Sequence, residues 1–270
     1  MSSLDQLEVE VQALQDQLAR LEQERADLRL ELGEFEALYT QRVGALEDEL
    51  TAARLHIEEY RLRIELIQLR GRTLAPSQLE AEVEYRLRAE RHQSAEMHSR
   101  VEQARSVKPA PAVDAAAQLD LKQLYRELAK RTHPDLALDD ADRRERGQSM
   151  VIVNEAYARR DADVLRGLLR RLEAGHASLQ ESPEQRAARL RNEYARLREV
   201  LMRVKIDLAE MNQGPVMKLK IEHALAQARG RDVLRERAAE LSMQLAVAQA
   251  ELQQLIAKFR EVVEATGLAE

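Results

Sequence analysis

The tripeptide His133-Pro134-Asp135 is the stretch of this sequence whose residue types could do chemistry. An imidazole and a carboxylate two residues apart could exchange a proton or supply two ligands to a metal ion. No third metal ligand is evident nearby, and neither partner residues for acid–base catalysis nor a glycine-rich phosphate loop accompany the pair. We therefore predict no catalytic residue, no metal and no cofactor, and we expect that the chain is not an enzyme.

A basic amphipathic helix is predicted directly before the tripeptide. The apolar side chains that share one helical face are Leu121, Leu124, Tyr125 and Leu128. The basic side chains of another face are Lys122, Arg126 and Lys130, and Arg131 extends the basic end. This helix should end near Thr132, because a residue before proline is pushed out of the helical region. The tripeptide is then a rigid turn that presents its His and Asp side chains at the tip.

A second helix is predicted to begin near Ala141, after a polar loop rich in Asp. If the two helices pack antiparallel across this loop, their apolar faces bury each other. The contact would join Leu124 and Leu128 to Met150, Val153 and Tyr157. A leucine face continues beyond it with Leu165, Leu168, Leu169 and Leu172.

The segments "LYRELAKRTHPD" and "MVIVNEAY" resemble helices II and III of a J-domain, the module of DnaJ-type co-chaperones. The His-Pro-Asp signature is intact, and a basic helix stands before it, as in many family members. The family's helix III pattern, apolar-x-x-apolar-Asn-x-Ala-Tyr, is matched by Met150, Val153, Asn154, Ala156 and Tyr157. The resemblance covers about fifty residues, 119–172.

The resemblance implies a partner and a role for each matched residue. In the family, the basic face of helix II docks on the ATPase domain of a DnaK-type chaperone, and the His-Pro-Asp loop then favours the hydrolysis-competent state. Carried over to this chain, the docking residues are Lys122, Arg126, Lys130 and Arg131. The triggering residues are His133, Pro134 and Asp135.

The sequence departs from the family pattern upstream of the basic helix. A J-domain usually has a short helix I and a Leu-Gly-Val-like turn there, whereas this chain has an Ala/Pro-rich segment at 106–118. Three alternatives are open: helix I is lost, the helix that ends near Arg105 folds back over the exposed face, or the leucines after Tyr157 take its place. Added burial is needed in any case, because a two-helix hairpin this small is marginally stable.

The N-terminal residues 1–70 carry apolar side chains at steps of three and four, which predicts a coiled coil. The first series runs through Leu7, Val11, Leu14, Leu18, Leu21, Leu28, Leu32, Phe35 and Tyr39. Arg25 interrupts this series once. A further four-residue step leads from Tyr39 to Val43, and such a stutter locally unwinds a supercoil without ending the helix.

Pro, Gly and polar clusters divide the rest of the chain into segments. We predict a second helix at 77–105, an extended linker at 106–118, the J-domain-like module at 119–172, and two amphipathic helices at 182–268. "NQGP" at Asn212–Pro215 separates the last two helices. They are expected to form an antiparallel hairpin or to dimerise, and the coiled coil predicts a homo-oligomer.

Composition and charge exclude several classes of protein. The 270 residues include no Cys, 3% aromatic and 33% charged residues, which favours long helices over one large globular core. The net charge of -6 argues against general nucleic-acid binding. No apolar run is long enough for a membrane span, and no signal peptide is evident, so the default expectation is a cytoplasmic protein.

The predicted fold class is all-α, with long coiled-coil helices flanking a small J-domain-like helical hairpin. The predicted function is that of a J-domain co-chaperone that stimulates a DnaK-type chaperone, with an unfolded or specific client protein as a further partner. Neither nucleic acid nor a membrane is an expected partner. The alternative is a structural coiled-coil scaffold whose J-like hairpin is degenerate.

Overall fold

The computed structural model describes residues 3–71, 75–106, 114–137, 139–174 and 182–267, and these residues contain helices and no strand. The helices are α1 (Ser3–Tyr39), α2 (Ala45–Arg70), α3 (Pro76–Arg86), α4 (Arg88–Ser106), α5 (Ala115–Thr132), α6 (Asp140–Ala158), α7 (Ala162–Ala174), α8 (Pro183–Gln213), α9 (Pro215–Ala228) and α10 (Val233–Thr266). The predicted all-α class is confirmed. The chain divides into two compact units, 1–34 with 109–218 and 35–108 with 219–270.

The centre of the first unit is the pair α5 and α6, joined across the His-Pro-Asp loop. The predicted contacts are present, because one buried cluster contains Leu124 and Leu128 together with Met150, Val153 and Tyr157. Leu128 and Val153 are fully buried. The two tyrosine rings of the pair, Tyr125 and Tyr157, lie 4.6 Å apart between centroids. The hairpin therefore has an apolar core with an aromatic pair inside it.

Helix α7 adds the burial that a two-helix hairpin lacks. Leu165 is fully buried in the core of the hairpin, and Leu168, Leu169 and Leu172 pack against that core. The turn before α7 has Arg160 in the left-handed region at φ 57°. The Asp161 carboxylate then accepts a hydrogen bond from the Val164 backbone N–H, which caps the new helix. The leucines after Tyr157 therefore add apolar burial to the hairpin.

Helix α8 packs along α1. The two helices share a buried seam formed by Val11, Leu18, Leu190, Leu197, Val200, Leu201, Val204 and Leu208. Gln15 contacts Glu193, and further along both helices Arg25 contacts Asp207, so α1 and α8 run parallel. Helix α8 begins with a capping box, in which the side chains of Ser182 and Gln185 each accept a hydrogen bond from the other's backbone N–H.

The second unit contains another parallel helix pair. Buried side chains of α2 and α10 form one cluster, which includes Leu50, Ile57, Leu241 and Leu245. Three polar contacts each join residues 190 positions apart, with the first residue in the π-helical turn before α2 or in α2 itself and the second at the start of α10 or within it. These contacts are Arg42–Asp232, Arg54–Gln244 and Arg61–Glu251. A constant separation means that the helices run in the same direction. The two C-terminal helices were expected to form an antiparallel hairpin or to dimerise; in the structure α8 packs against α1 and α10 packs against α2.

The predicted stutter coincides with a π-helical turn at Thr40–Gly44. Tyr39 and Ala45 on either side have α-helical backbone angles, so the backbone stays helical through the irregularity. A π-helical turn holds an additional residue in one turn, which is how the backbone absorbs a four-residue step in excess.

Two segment boundaries differ from those predicted. The helix predicted at 77–105 is broken at Leu87 into α3 and α4. Ala115–Gln118, assigned to the linker 106–118, form the first turn of α5, because the Asp114 carboxylate caps that helix through the Ala117 N–H. Residues 107–113 of the predicted linker lie outside the described residues.

Within the described part of the chain, no helix has the length and apolar character needed to cross a bilayer.

We predict that Leu128→Ala destabilises the hairpin by about 2–5 kcal/mol, because it removes a fully buried side chain and leaves a cavity. Leu119→Ala on the same helix is the matched control, since Leu119 is 68% exposed, and should change stability by less than about 0.5 kcal/mol. Hydrogen exchange of α5 and α6 amides measures the local free energy of opening for both variants. Equal effects of the two substitutions would contradict the described core.

Candidate functional site

The candidate site is the His-Pro-Asp loop with the basic face of α5. Helix α5 ends at Thr132, whose hydroxyl donates to the Leu128 carbonyl at 2.8 Å. His133 follows with an extended backbone, as expected before a proline, and Pro134–Leu136 form a single 3₁₀ turn. The predicted end of the basic helix is confirmed, and the loop has one defined backbone path between two helices.

Two hydrogen bonds join α5 to α6, the helices on either side of this loop. The Tyr125 hydroxyl donates to the Asn154 side-chain carbonyl at 2.9 Å. The Arg146 guanidinium donates to the Arg131 backbone carbonyl at 3.2 Å, near the end of α5. Asn154 is thus bonded to the hydroxyl of the buried Tyr125. The matched Asn therefore stabilises the packing of the hairpin rather than the loop itself.

His133 is buried, contrary to the expectation that the loop presents it at an open tip. Only 5% of the residue is exposed. Its Nδ1 accepts a hydrogen bond from the Asp135 backbone N–H at 3.1 Å, which leaves Nε2 to donate to Glu22 of α1, also at 3.1 Å. The imidazole is thus held from both sides, because α1 covers the loop.

Glu22 is the centre of a buried polar network. The residue is 1% exposed and also accepts a hydrogen bond from Arg25 at 2.6 Å. Arg25 in turn donates to Asp207 of α8 at 2.7 Å. The interruption of the apolar series at Arg25 therefore has a structural reason, since this position carries the charge that compensates Glu22 and Asp207. A buried carboxylate without such partners would be strongly unfavourable.

Asp135 is held by α8. Arg203 donates to its carboxylate at 3.1 Å, and Arg196 of the same helix donates to the backbone carbonyl of Ala137 at 2.8 Å. Leu136, inside the loop, packs against the apolar seam of α1 and α8. A cleft of about 160 Å³ lies between the loop, α1 and α8. The loop is therefore in contact with both helices of the parallel pair.

The basic face of α5 is paired with acidic side chains. Lys122 lies 2.9 Å from Asp27 and Lys130 lies 2.6 Å from Asp16, both on α1. Arg131 contacts Glu173 of α7 at 3.2 Å. The remaining predicted docking residue, Arg126, donates to the Lys122 backbone carbonyl at 3.3 Å. The structure brings the four predicted docking residues onto one helix beside the loop, and it places α1 over part of that face.

Ion pairing and burial shift the pKa values of several side chains around α5. The hydrogen bond from Lys130 lowers the pKa of Asp16 below its ordinary value. Burial works against a charged Lys130, but its hydrogen bonds to Asp16 and Glu127 outweigh burial and raise its pKa. Burial first, and then the hydrogen bond to Asp27 at 2.6 Å, raises the pKa of Tyr157 well above its ordinary value. Burial likewise raises the pKa of Tyr125.

Sequence reasoning missed the residues that surround the site. These residues are Asp16, Glu22, Arg25, Asp27, Arg203 and Asp207. One signal was available, because a charged residue in an otherwise regular apolar series indicates a compensating partner. Nothing in the local sequence identified that partner, since His133 and Glu22 are 111 residues apart in the chain.

No metal-binding cluster of three or more His, Cys, Asp or Glu side chains is present among the residues that the structure describes. No protein-family model, no curated protein and no solved structure matches this chain. The resemblance to a J-domain therefore depends on the residues of α5, the loop and α6 alone.

We predict that Tyr125 and Tyr157 ionise only well above the ordinary range of tyrosine, about pH 9–11. Because folding raises both pKa values, their contribution to stability is complete below pH 10 and is lost as the pH rises toward the folded values. In an alkaline titration of tyrosinate absorbance, the early phase is the rise that comes from tyrosines with an ordinary pKa. Tyr157→Phe should leave this early phase unchanged. Tyr85→Phe, which removes a phenol of an 81% exposed residue, should reduce the early phase. An early-phase loss in Tyr157→Phe would contradict the described burial.

Proposed function

We propose that the chain is a J-domain-like co-chaperone that docks on a DnaK-type chaperone and stimulates its ATP hydrolysis. The observation that carries the proposal is the loop itself. His133-Pro134-Asp135 stands between a basic helix and a helix with the family's Asn-x-Ala-Tyr pattern, and these two helices pack as a hairpin. The four basic residues lie along α5, the helix that leads directly into the signature loop.

The proposed mechanism follows from general binding physics. Basic side chains on α5 would steer and orient the encounter with an acidic surface of the chaperone. The loop would then shift the chaperone toward its hydrolysis-competent state, which requires tighter binding to that state than to the other. The chain itself would do no chemistry. Its long helices would act as coiled coils that position the module. A client protein as a further partner and a cytoplasmic location stay predictions.

A homo-oligomer also stays a prediction, but the apolar series supports it less than it did from the sequence alone. The apolar series that suggested it is used within the chain, since Val11 and Leu18 pack against α8 and Leu50 and Ile57 pack against α10. An oligomer would therefore need another surface.

The second candidate function is a structural scaffold that keeps the J-like hairpin as a packing element. The burial of His133 against Glu22 favours it, because a loop used only for packing has no need of an open His side chain. The two candidates differ in one measurable property, which is stimulation of a chaperone's ATP hydrolysis that depends on His133.

We predict that the wild-type chain accelerates single-turnover ATP hydrolysis by a DnaK-type chaperone and that His133→Gln abolishes the acceleration. Gln can still donate a hydrogen bond to Glu22, so the fold should be retained, and circular dichroism checks this. His56→Gln is the matched control, because it makes the same change at an exposed position of α2 and should act like wild type. Equal rates for His133→Gln and His56→Gln would support the scaffold instead.

A further inference from the structure

The contact between α1 and the J-like hairpin is chemically suited to a reversible cover. The basic face of α5 meets the acidic side chains Asp16 and Asp27, while His133 meets Glu22. These three α1 residues lie at intervals of five or six along one helix. An acidic helix thus occupies the surface that the proposed function assigns to an acidic chaperone surface.

The apolar contacts of α1 go mainly to a different partner. In the first unit, α1 buries Val11 and Leu18 in the seam with α8, and its half-buried Ala26 and Leu30 pack against the core of the hairpin. The other contacts with the hairpin are the partly exposed ion pairs of Lys122 and Lys130 and the buried hydrogen bond between His133 and Glu22. In the loop, Leu136 packs against the seam of α1 and α8. Partly exposed ion pairs contribute little net stability and are screened by salt, whereas apolar burial is the dominant stabilising term. The parallel pair α1–α8 can therefore separate from the hairpin without itself coming apart.

Helix α8 completes the cover on the other side of the loop. Arg203 contacts the Asp135 carboxylate, and Leu136 packs against the seam of α1 and α8. All three residues of the signature thus lie in the cleft that both helices line. A chaperone could not contact the His133 imidazole while Glu22 holds it.

We propose that α1 and α8 form a built-in inhibitor of the J-like module, in which the acidic face of α1 takes the place of the chaperone. The inference rests on the proposed co-chaperone function. The module would bind the chaperone only in the fraction of molecules in which the α1–α8 pair has moved away, and the apparent affinity would equal the intrinsic affinity multiplied by that fraction. A ligand that binds the α1–α8 pair only after this pair has moved away from the hairpin would activate the module.

The test uses full-length variants that weaken the cover and leave the module unchanged. Asp16→Lys/Asp27→Lys places positive charges opposite Lys122 and Lys130. The matched control is Glu10→Lys/Glu24→Lys, which makes the same change in charge at exposed positions of the same helix. The assay is single-turnover ATP hydrolysis by a DnaK-type chaperone, below saturation, with each variant also made in the His133→Gln background.

A second pair of variants acts through α8, in case the double substitution on α1 fails to fold. Arg203→Glu repels Asp135, and Arg191→Glu is its control at an exposed position of α8. Hydrogen exchange of the Asp135 amide, which donates to His133 Nδ1, reports whether the loop becomes mobile. Circular dichroism verifies that each variant is folded.

We expect the two cover-weakening variants to stimulate hydrolysis at least tenfold more than wild type and controls, with the gain lost in the His133→Gln background. If wild type, weakened variants and controls stimulate equally and all depend on His133, the co-chaperone function holds and the inhibitor is overturned. If weakened variants show unchanged exchange at Asp135 and no gain in stimulation, the inhibitor is likewise overturned. If no folded variant stimulates although exchange rises, the co-chaperone function fails, and the inhibitor fails with it.

Discussion

The buried carboxylate of Glu22 is the interaction on which the arrangement of the first unit depends. With 1% of the residue exposed, it must have compensating partners, and it finds them in Arg25 and His133. Arg25 extends the network to Asp207 of α8. One carboxylate thereby ties together α1, the loop of the J-like hairpin and, through Arg25, α8. Burial makes this network specific, because displacing any member leaves a charge or a polar atom without its partner.

Around this network, apolar and polar contacts have different distributions. The seam of α1 with α8 and the core of α5, α6 and α7 are each apolar, whereas the surface between them is mostly made of paired charges. Apolar burial is not screened by salt, whereas partly exposed ion pairs respond to salt and to competing charges. This distribution of contacts is consistent with the proposal that the α1–α8 pair has two positions, one against the hairpin and one away from it.

The hairpin itself was predictable because its signals are local. The spacing of Leu121, Leu124, Tyr125 and Leu128 defines a buried helical face, and Pro134 requires the helix to end before it. The Asp161 cap before α7 was also readable, but the continuing leucine face concealed the break between α6 and α7. The break at Leu87 has no comparable signal, since neither Gly nor Pro stands at that position.

The partner of each apolar face was decided only by the tertiary structure. A heptad series states that a face is buried, but an antiparallel neighbour, a parallel neighbour and a second copy all satisfy it equally. The parallel pairing of α1 with α8 and of α2 with α10 depends on side chains about 180 or 190 positions apart, such as Arg25 with Asp207 and Arg61 with Glu251. By itself, the sequence determined the loop, its basic helix and the residues of the candidate site, because these depend on neighbours within a few turns. That the same residues lie beneath an acidic helix followed only from packing, because a contact such as that of His133 with Glu22 is set by the whole fold and not by the residues around either one.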